Sequence, residues 1–188
     1  MATHMQGDGA RRGNPWRWMT WGGAACLLLL PLVAMQFFPG SGVDWTLSDF
    51  VVMGVLLSIA CGACELVWRS TDTAYRAAAG IAILTGFLTV WVNLAVGMIG
   101  SENNPYNLLF AGVLAIAVFG AAFARLQAKG MALAMAAAAL AQAALAGVAL
   151  VAGRDVLGAL FSGAFAAPWL LSAALFGAAA RPQGIQSR

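Results

Sequence analysis

Apolar residues fill this chain in six long runs, each ended by a short break rich in polar residues, glycine or proline. The runs read as Met19–Phe38, Leu47–Trp68, Arg76–Ile99, Tyr106–Ala124, Met131–Ala152 and Val156–Ala180. A helix needs about 20 residues to cross a hydrocarbon core about 30 Å thick, and each run is close to that length. The pattern predicts an all-α membrane protein, a bundle of six transmembrane helices with no soluble domain. Residues 1–18 are expected as a disordered tail, 19–180 as the bundle and 181–188 as a second short tail. Short connections make sequential helices antiparallel neighbours.

Composition supports lipid as the solvent. The chain is 62% hydrophobic and 9% charged, with a mean hydropathy of +0.83. A soluble domain of 188 residues cannot hide that much apolar surface. The net charge of +3 does not point to nucleic acid, because the basic residues form no block. Their placement says more. Arg11, Arg12, Arg17, Arg69, Arg76, Arg125, Lys129, Arg181 and Arg188 fall on one face of a six-span alternation, and only Arg154 on the other. Asp44, Asp49, Glu102 and Asp155 lie on that other face. The positive-inside rule then makes both termini cytoplasmic. The first run has an Arg-bearing start like a signal peptide. It continues through Phe37 and Phe38 with no cleavage site of small residues, so a span is expected.

Trp16, Trp18, Trp21, Trp45 and Trp68 sit at span ends and read as interfacial belt residues, whereas Trp91 and Trp169 fall inside spans. Pro31 and Pro168 are expected to bend spans one and six. Gly54, Ser58 and Gly62 form a row of small residues suited to close helix approach. The Ala-rich fifth span suits a central helix, or one offered to a partner.

Polar chemistry is sparse. Cys61 and Cys64 form a C-x-x-C on a helix beside Glu65, but the single histidine, His4, is remote and no second cysteine pair exists. The pair reads as packing residues first and as a metal or redox site second, so no cofactor is expected. Glu65 and Arg69 have the spacing of a helical ion pair. Thr85, Thr89 and Asn93 make a polar stripe along span three. Depth counting sets Asn93 level with Gln36 of span one, and Thr89 level with Gln142 of span five. These pairs are candidates for interhelical hydrogen bonds, or for the lining of a small polar cavity.

The densest polar segment is Trp91–Asn107, WVNLAVGMIGSENNPYN. Asn103, Asn104 and Pro105 are turn formers, with Asn104 or Asn103 expected to cap span four and Pro105 in its first turn. Asn93, Glu102, Asn104 and Asn107, with Trp91 below them, are candidates for a concave outer site taking a cation or a small polar ligand. This segment resembles the signature of a family of uncharacterised bacterial multi-pass membrane proteins, W-x-N-L-A-V-G-x-I-G-S-E-x-N-P-x-N. Thr73–Ala78, T-A-Y-R-A-A, is similar to that family as well. The resemblance implies a bacterial inner (plasma) membrane location and no activity, cofactor or substrate. No span carries a lysine for a retinal Schiff base, a histidine pair for haem or an arginine ladder for voltage sensing.

The reading that results is a non-enzymatic accessory, structural or assembly protein. It would work through helix contacts in the lipid bilayer, with a second copy or another membrane protein as partner. A small transporter or channel lined by Thr85, Thr89 and Asn93 is the alternative, and a redox or metal protein using Cys61 and Cys64 is the third.

Overall fold

The computed structural model describes residues 15–153 and 156–181. Of the tails expected at 1–18 and 181–188, residues 1–14 and 182–188 lie outside the described residues, as do Arg154 and Asp155, whereas 15–18 are helical. All elements among the described residues are helical, and they make six helices long and apolar enough to cross a membrane. That is the architecture of a multi-pass membrane protein. The chain divides into two units, Met1–Cys61 and Gly62–Arg188.

The first unit holds α1 (Pro15–Phe37) and most of α2 (Leu47–Val67), which runs on into the second unit. Helix α1 opens four residues ahead of the expected Met19, because Pro15 fits the first helical position. Pro31 lies inside α1, which continues as helix to Phe37. The start of α2 is tightly specified. Asp49 Oδ2 accepts both the backbone N–H and the hydroxyl of Thr46, each at 2.7 Å. Trp45 packs edge-on against Phe50 at 5.2 Å. Asp49 thus reaches back to the residue before the helix, and Trp45 and Phe50 form a hydrophobic staple. Met53, Leu57 and Cys61 form the buried stripe of α2. Of the expected small-residue row, Gly54 faces Leu28 of α1, Ser58 is exposed and bonds back to the Gly54 carbonyl, and Gly62 meets open space.

The second unit begins with α3 (Thr73–Ala95), three residues earlier than expected because Asp72 caps it, accepting from the Tyr75 N–H at 3.0 Å. A short 3-10 helix (Pro105–Leu109) leads into α4 (Phe110–Phe123), followed by α5 (Ala128–Gly153), α6 (Val156–Ala164) and α7 (Ala166–Ala179). Helix α5 packs on α4, α6 and α7, and α7 packs on α3. The Ala-rich composition of α5 thus serves close packing within its own unit. Ala138 and Ala139 are fully buried, and a Cβ at Gly120 of α4 would stand 2.6 Å from that of Ala134. Contacts this close replace the hydrophobic drive that lipid does not provide.

Pro168 interrupts the sixth span. It has no N–H for the carbonyl of Ala164, and its ring crowds that carbonyl. The interruption is the single residue Phe165, between α6 ending at Ala164 and α7 starting at Ala166. The α4–α5 turn is also specialised. Arg125 and Leu126 both adopt positive φ, at 48° and 59°. Side-chain-bearing residues pay about 1–2 kcal/mol each for that conformation. The Tyr75 hydroxyl secures the turn by donating to the Leu126 carbonyl at 2.7 Å, while its ring meets Phe176 edge-on at 5.0 Å.

Candidate functional site

The Trp91–Asn107 segment closes on itself. Helix α3 ends at Ala95, and Gly97 and Gly100 turn the chain with φ of 76° and 69°. Only glycine fits at Gly97, where a Cβ would stand 2.5 Å from the Ser101 backbone and 2.7 Å from Asn107 Nδ2. This turn folds Met98 and Ile99 inward until they are 1% and 2% exposed. Their backbone N–H groups then need acceptors away from water. Asn107 Oδ1 accepts both, at 3.1 Å from Met98 and 2.9 Å from Ile99. Its Nδ2 donates to the carbonyls of Ser101 at 2.7 Å and Ile99 at 3.4 Å. One buried amide therefore ties the loop together.

Its neighbours have equally local partners. Asn104 caps the 3-10 helix, its Oδ1 accepting from the Tyr106 N–H at 3.1 Å, with Pro105 in the first turn. Glu102 is exposed and accepts from Asn103 Nδ2 at 3.0 Å. Trp91 is 40% exposed and leans on Phe87 at 5.8 Å. Asn93 Nδ2 donates to the Thr89 carbonyl at 2.7 Å. The structure thus brings Asn104 and Asn107 together as loop supports, and leaves Glu102 and Trp91 facing outward.

The polar stripe of α3 is also turned onto its own helix. Thr85 donates to the Ile81 carbonyl and Thr89 to the Thr85 carbonyl, at 2.7 and 2.8 Å. Both threonines are buried, so their hydroxyls find partners one turn back rather than across the bundle. The expected Thr89–Gln142 bond is replaced. Gln142 Nε2 instead donates to the Ser162 carbonyl at 3.1 Å, with Ser162 Oγ at 3.5 Å and Met98 Sδ at 3.9 Å. Gln36 is exposed on α1, in the first unit.

Sequence reasoning missed two serines here, Ser162 and Ser172, both 0% exposed. Ser172 Oγ donates to the Ala78 carbonyl at 2.9 Å and so fixes α7 against α3. The signal available was two hydroxyls in an otherwise apolar span, each of which has to find a partner in lipid. Two fully buried side-chain atoms among the described residues have none. They are the Gln142 Oε1 acceptor and the Trp169 Nε1 donor, whose residues are 0% and 1% exposed. Asn93 Oδ1, on a half-buried residue, is the third such atom among the described residues. An unmatched buried polar group costs about 1–3 kcal/mol.

The remaining candidates lie elsewhere. Cys61 is buried in α2 with its Sγ 3.8 Å from the Thr20 carbonyl, and Cys64 is half-buried one turn on. No group of three His, Cys, Asp or Glu residues that could hold a metal occurs among the described residues. Glu65 is half-buried on α2, but Arg69 lies beyond the end of that helix at Val67, in a turn where its N–H bonds the Leu66 carbonyl. Their i, i+4 spacing is therefore not carried by a continuous helix. It is Arg76 that takes a defined seat, stacked 3.6 Å above the Trp68 ring.

Compared with protein-family models, curated proteins and solved structures, the chain matches none.

Proposed function

We propose that this chain is an accessory or assembly protein of the bacterial inner membrane, both termini cytoplasmic, acting through helix contacts with other membrane chains. The closed Trp91–Asn107 loop carries this reading. Its amides serve the protein's own backbone, and the carboxylate of Glu102 faces outward, so the segment has the form of a sealed turn rather than a mouth. Helix α1 adds to it. No described residue of α1 is fully buried, and Trp18, Leu27, Leu29, Leu30, Leu32 and Phe37 are all exposed. An all-round apolar helix offers lipid or a partner helix a face on every side. The nine-to-one placement of basic residues supports the orientation. The motif spanning Trp91–Asn107 is proposed as the mark of a family sharing this closed loop.

A photo-crosslinking side chain at Leu30 tests the reading in native membranes. A discrete protein adduct is expected from Leu30, and none from Phe119, an exposed position of α4. Lipid adducts alone at Leu30, with solute flux in liposomes that Asn93→Ala abolishes, would replace it with the transporter reading. One observation favours that second reading, namely the buried polar atoms of Gln142 and Trp169 that have no partner inside the spans.

A further inference from the structure

Three segments of the second unit meet at its basic end, and Tyr75 of α3 joins them. Its hydroxyl donates to the Leu126 carbonyl in the α4–α5 turn at 2.7 Å, and its ring meets Phe176 of α7 edge-on at 5.0 Å. Thr71, Asp72 and Thr73, around the start of α3, also line one cleft with Ala179 and Arg181 at the end of α7. We propose that this end is a docking surface for an anionic phospholipid. Its phosphate would sit at the α4–α5 turn and an acyl chain would lie along α4. The inference goes beyond the accessory reading and does not depend on it.

Charge selects the headgroup. The converging segments carry Arg69, Arg76, Arg125, Lys129 and Arg181. Arg76 is taken up by the Trp68 ring, whereas the other four are exposed. The acidic neighbours are Asp72, engaged as the cap of α3, and Glu65, close before Trp68 in sequence. Cations therefore outnumber carboxylates here. Basic groups clustered at span ends attract anionic headgroups over zwitterionic ones.

Sidedness alone explains why these cations share one end, but not how the turn is built. Arg125 and Leu126 hold left-handed φ of 48° and 59°, which glycine or asparagine would adopt more easily. Strain of this kind concentrates at binding sites. What arginine and leucine add over glycine is an exposed guanidinium next to an exposed apolar side chain. That pair suits the boundary between headgroups and hydrocarbon. The helix leading into the turn continues the pattern. Ile116, Phe119 and Phe123 share one face of α4 and are 39%, 63% and 86% exposed. A basic turn at the foot of an apolar stripe matches the two parts of a phospholipid. A soluble phosphate would leave the stripe unused.

The test uses the full chain in phosphatidylcholine nanodiscs at low ionic strength, where exposed charges are least screened. A trace of phosphatidylglycerol carries a photoreactive group in its acyl chain, and adducts are mapped by peptide mass spectrometry. Enrichment on α4 at Phe119 and Phe123 over exposed Leu30 of α1 is expected. Unlabelled phosphatidylglycerol should compete for it, and dissolved glycerol phosphate should not. Arg125→Asn removes one cation and should cut the α4 adduct about fivefold. Asparagine also suits a left-handed backbone better than arginine, so the thermal midpoint should hold or rise. Adducts spread evenly over α1 and α4 would overturn the proposal, as would an α4 yield unchanged in Arg125→Asn. Competition by glycerol phosphate would make this a site for soluble anions instead, and would overturn it too. If Arg125→Asn does not fold, Lys129→Gln is read the same way.

Discussion

Two polar regions of the second unit use similar residues to opposite effect. In the loop before α4, Asn104 and Asn107 satisfy turning backbone, and Asn107 alone makes four hydrogen bonds. On α5 and α7, Gln142 and Trp169 are more deeply buried and each retains an unmatched atom. A cluster of amides in a sequence therefore does not by itself mark a binding site. The distinction is whether the nearby backbone has already claimed them. Where glycines fold N–H groups inward, it has. At Gln142 the backbone claims only half of the amide, Nε2 reaching the Ser162 carbonyl while Oε1 has no partner.

The comparison can be broken most severely at Gly97. Gly97→Ala sets a Cβ against backbone at 2.5 Å in a left-handed conformation, so loss of folded protein in lipid is expected. A variant with normal yield and melting temperature would refute the closed-loop geometry. Asn107→Ala strands the Met98 and Ile99 N–H groups and should destabilise by about 3 kcal/mol or more, read as a fall in thermal midpoint. In the packed region, Gly120→Ala forces a Cβ to 2.6 Å from that of Ala134 and should cost about 1–3 kcal/mol by the same measurement. Tyr75→Phe keeps the ring on Phe176 but removes the hydroxyl from the Leu126 carbonyl, a loss of about 1 kcal/mol. Glu102→Gln should shift stability by less than about 0.5 kcal/mol, because its carboxylate is exposed. A large loss of stability there would place Glu102 inside the supporting network and erase the contrast with Asn107.

The spans were legible in the sequence, because runs of about 20 apolar residues have few other uses. Half of the loop was legible too. Asn104 and Pro105 act through neighbours in sequence, and their cap and first-turn roles follow from local rules. Asn107 was placed among the site candidates because its clamp reaches back eight and nine residues, a path that exists only when Gly97 and Gly100 both take positive φ. The pairing of Thr89 with Gln142 failed for a different reason. Counting residues gives height along a helix but not the direction of a hydroxyl, which found the Thr85 carbonyl one turn back. Pro168 was read as a bend, and the structure has a single-residue interruption at Phe165, three residues before it, with helical φ and ψ of −69° and −17°. The Gly54, Ser58 and Gly62 row had the right period, yet the buried stripe of α2 is the adjacent Met53, Leu57 and Cys61.

The central claim is that the polar segment is sealed onto its own backbone, and amide hydrogen exchange in lipid tests it most directly. Met98 and Ile99 N–H groups should exchange on the order of a hundredfold more slowly than those of the exposed Glu102 and Asn103, as an opening cost of about 3 kcal/mol implies. Exchange of all four at similar rates would mean that the loop stands open, and would contradict the account.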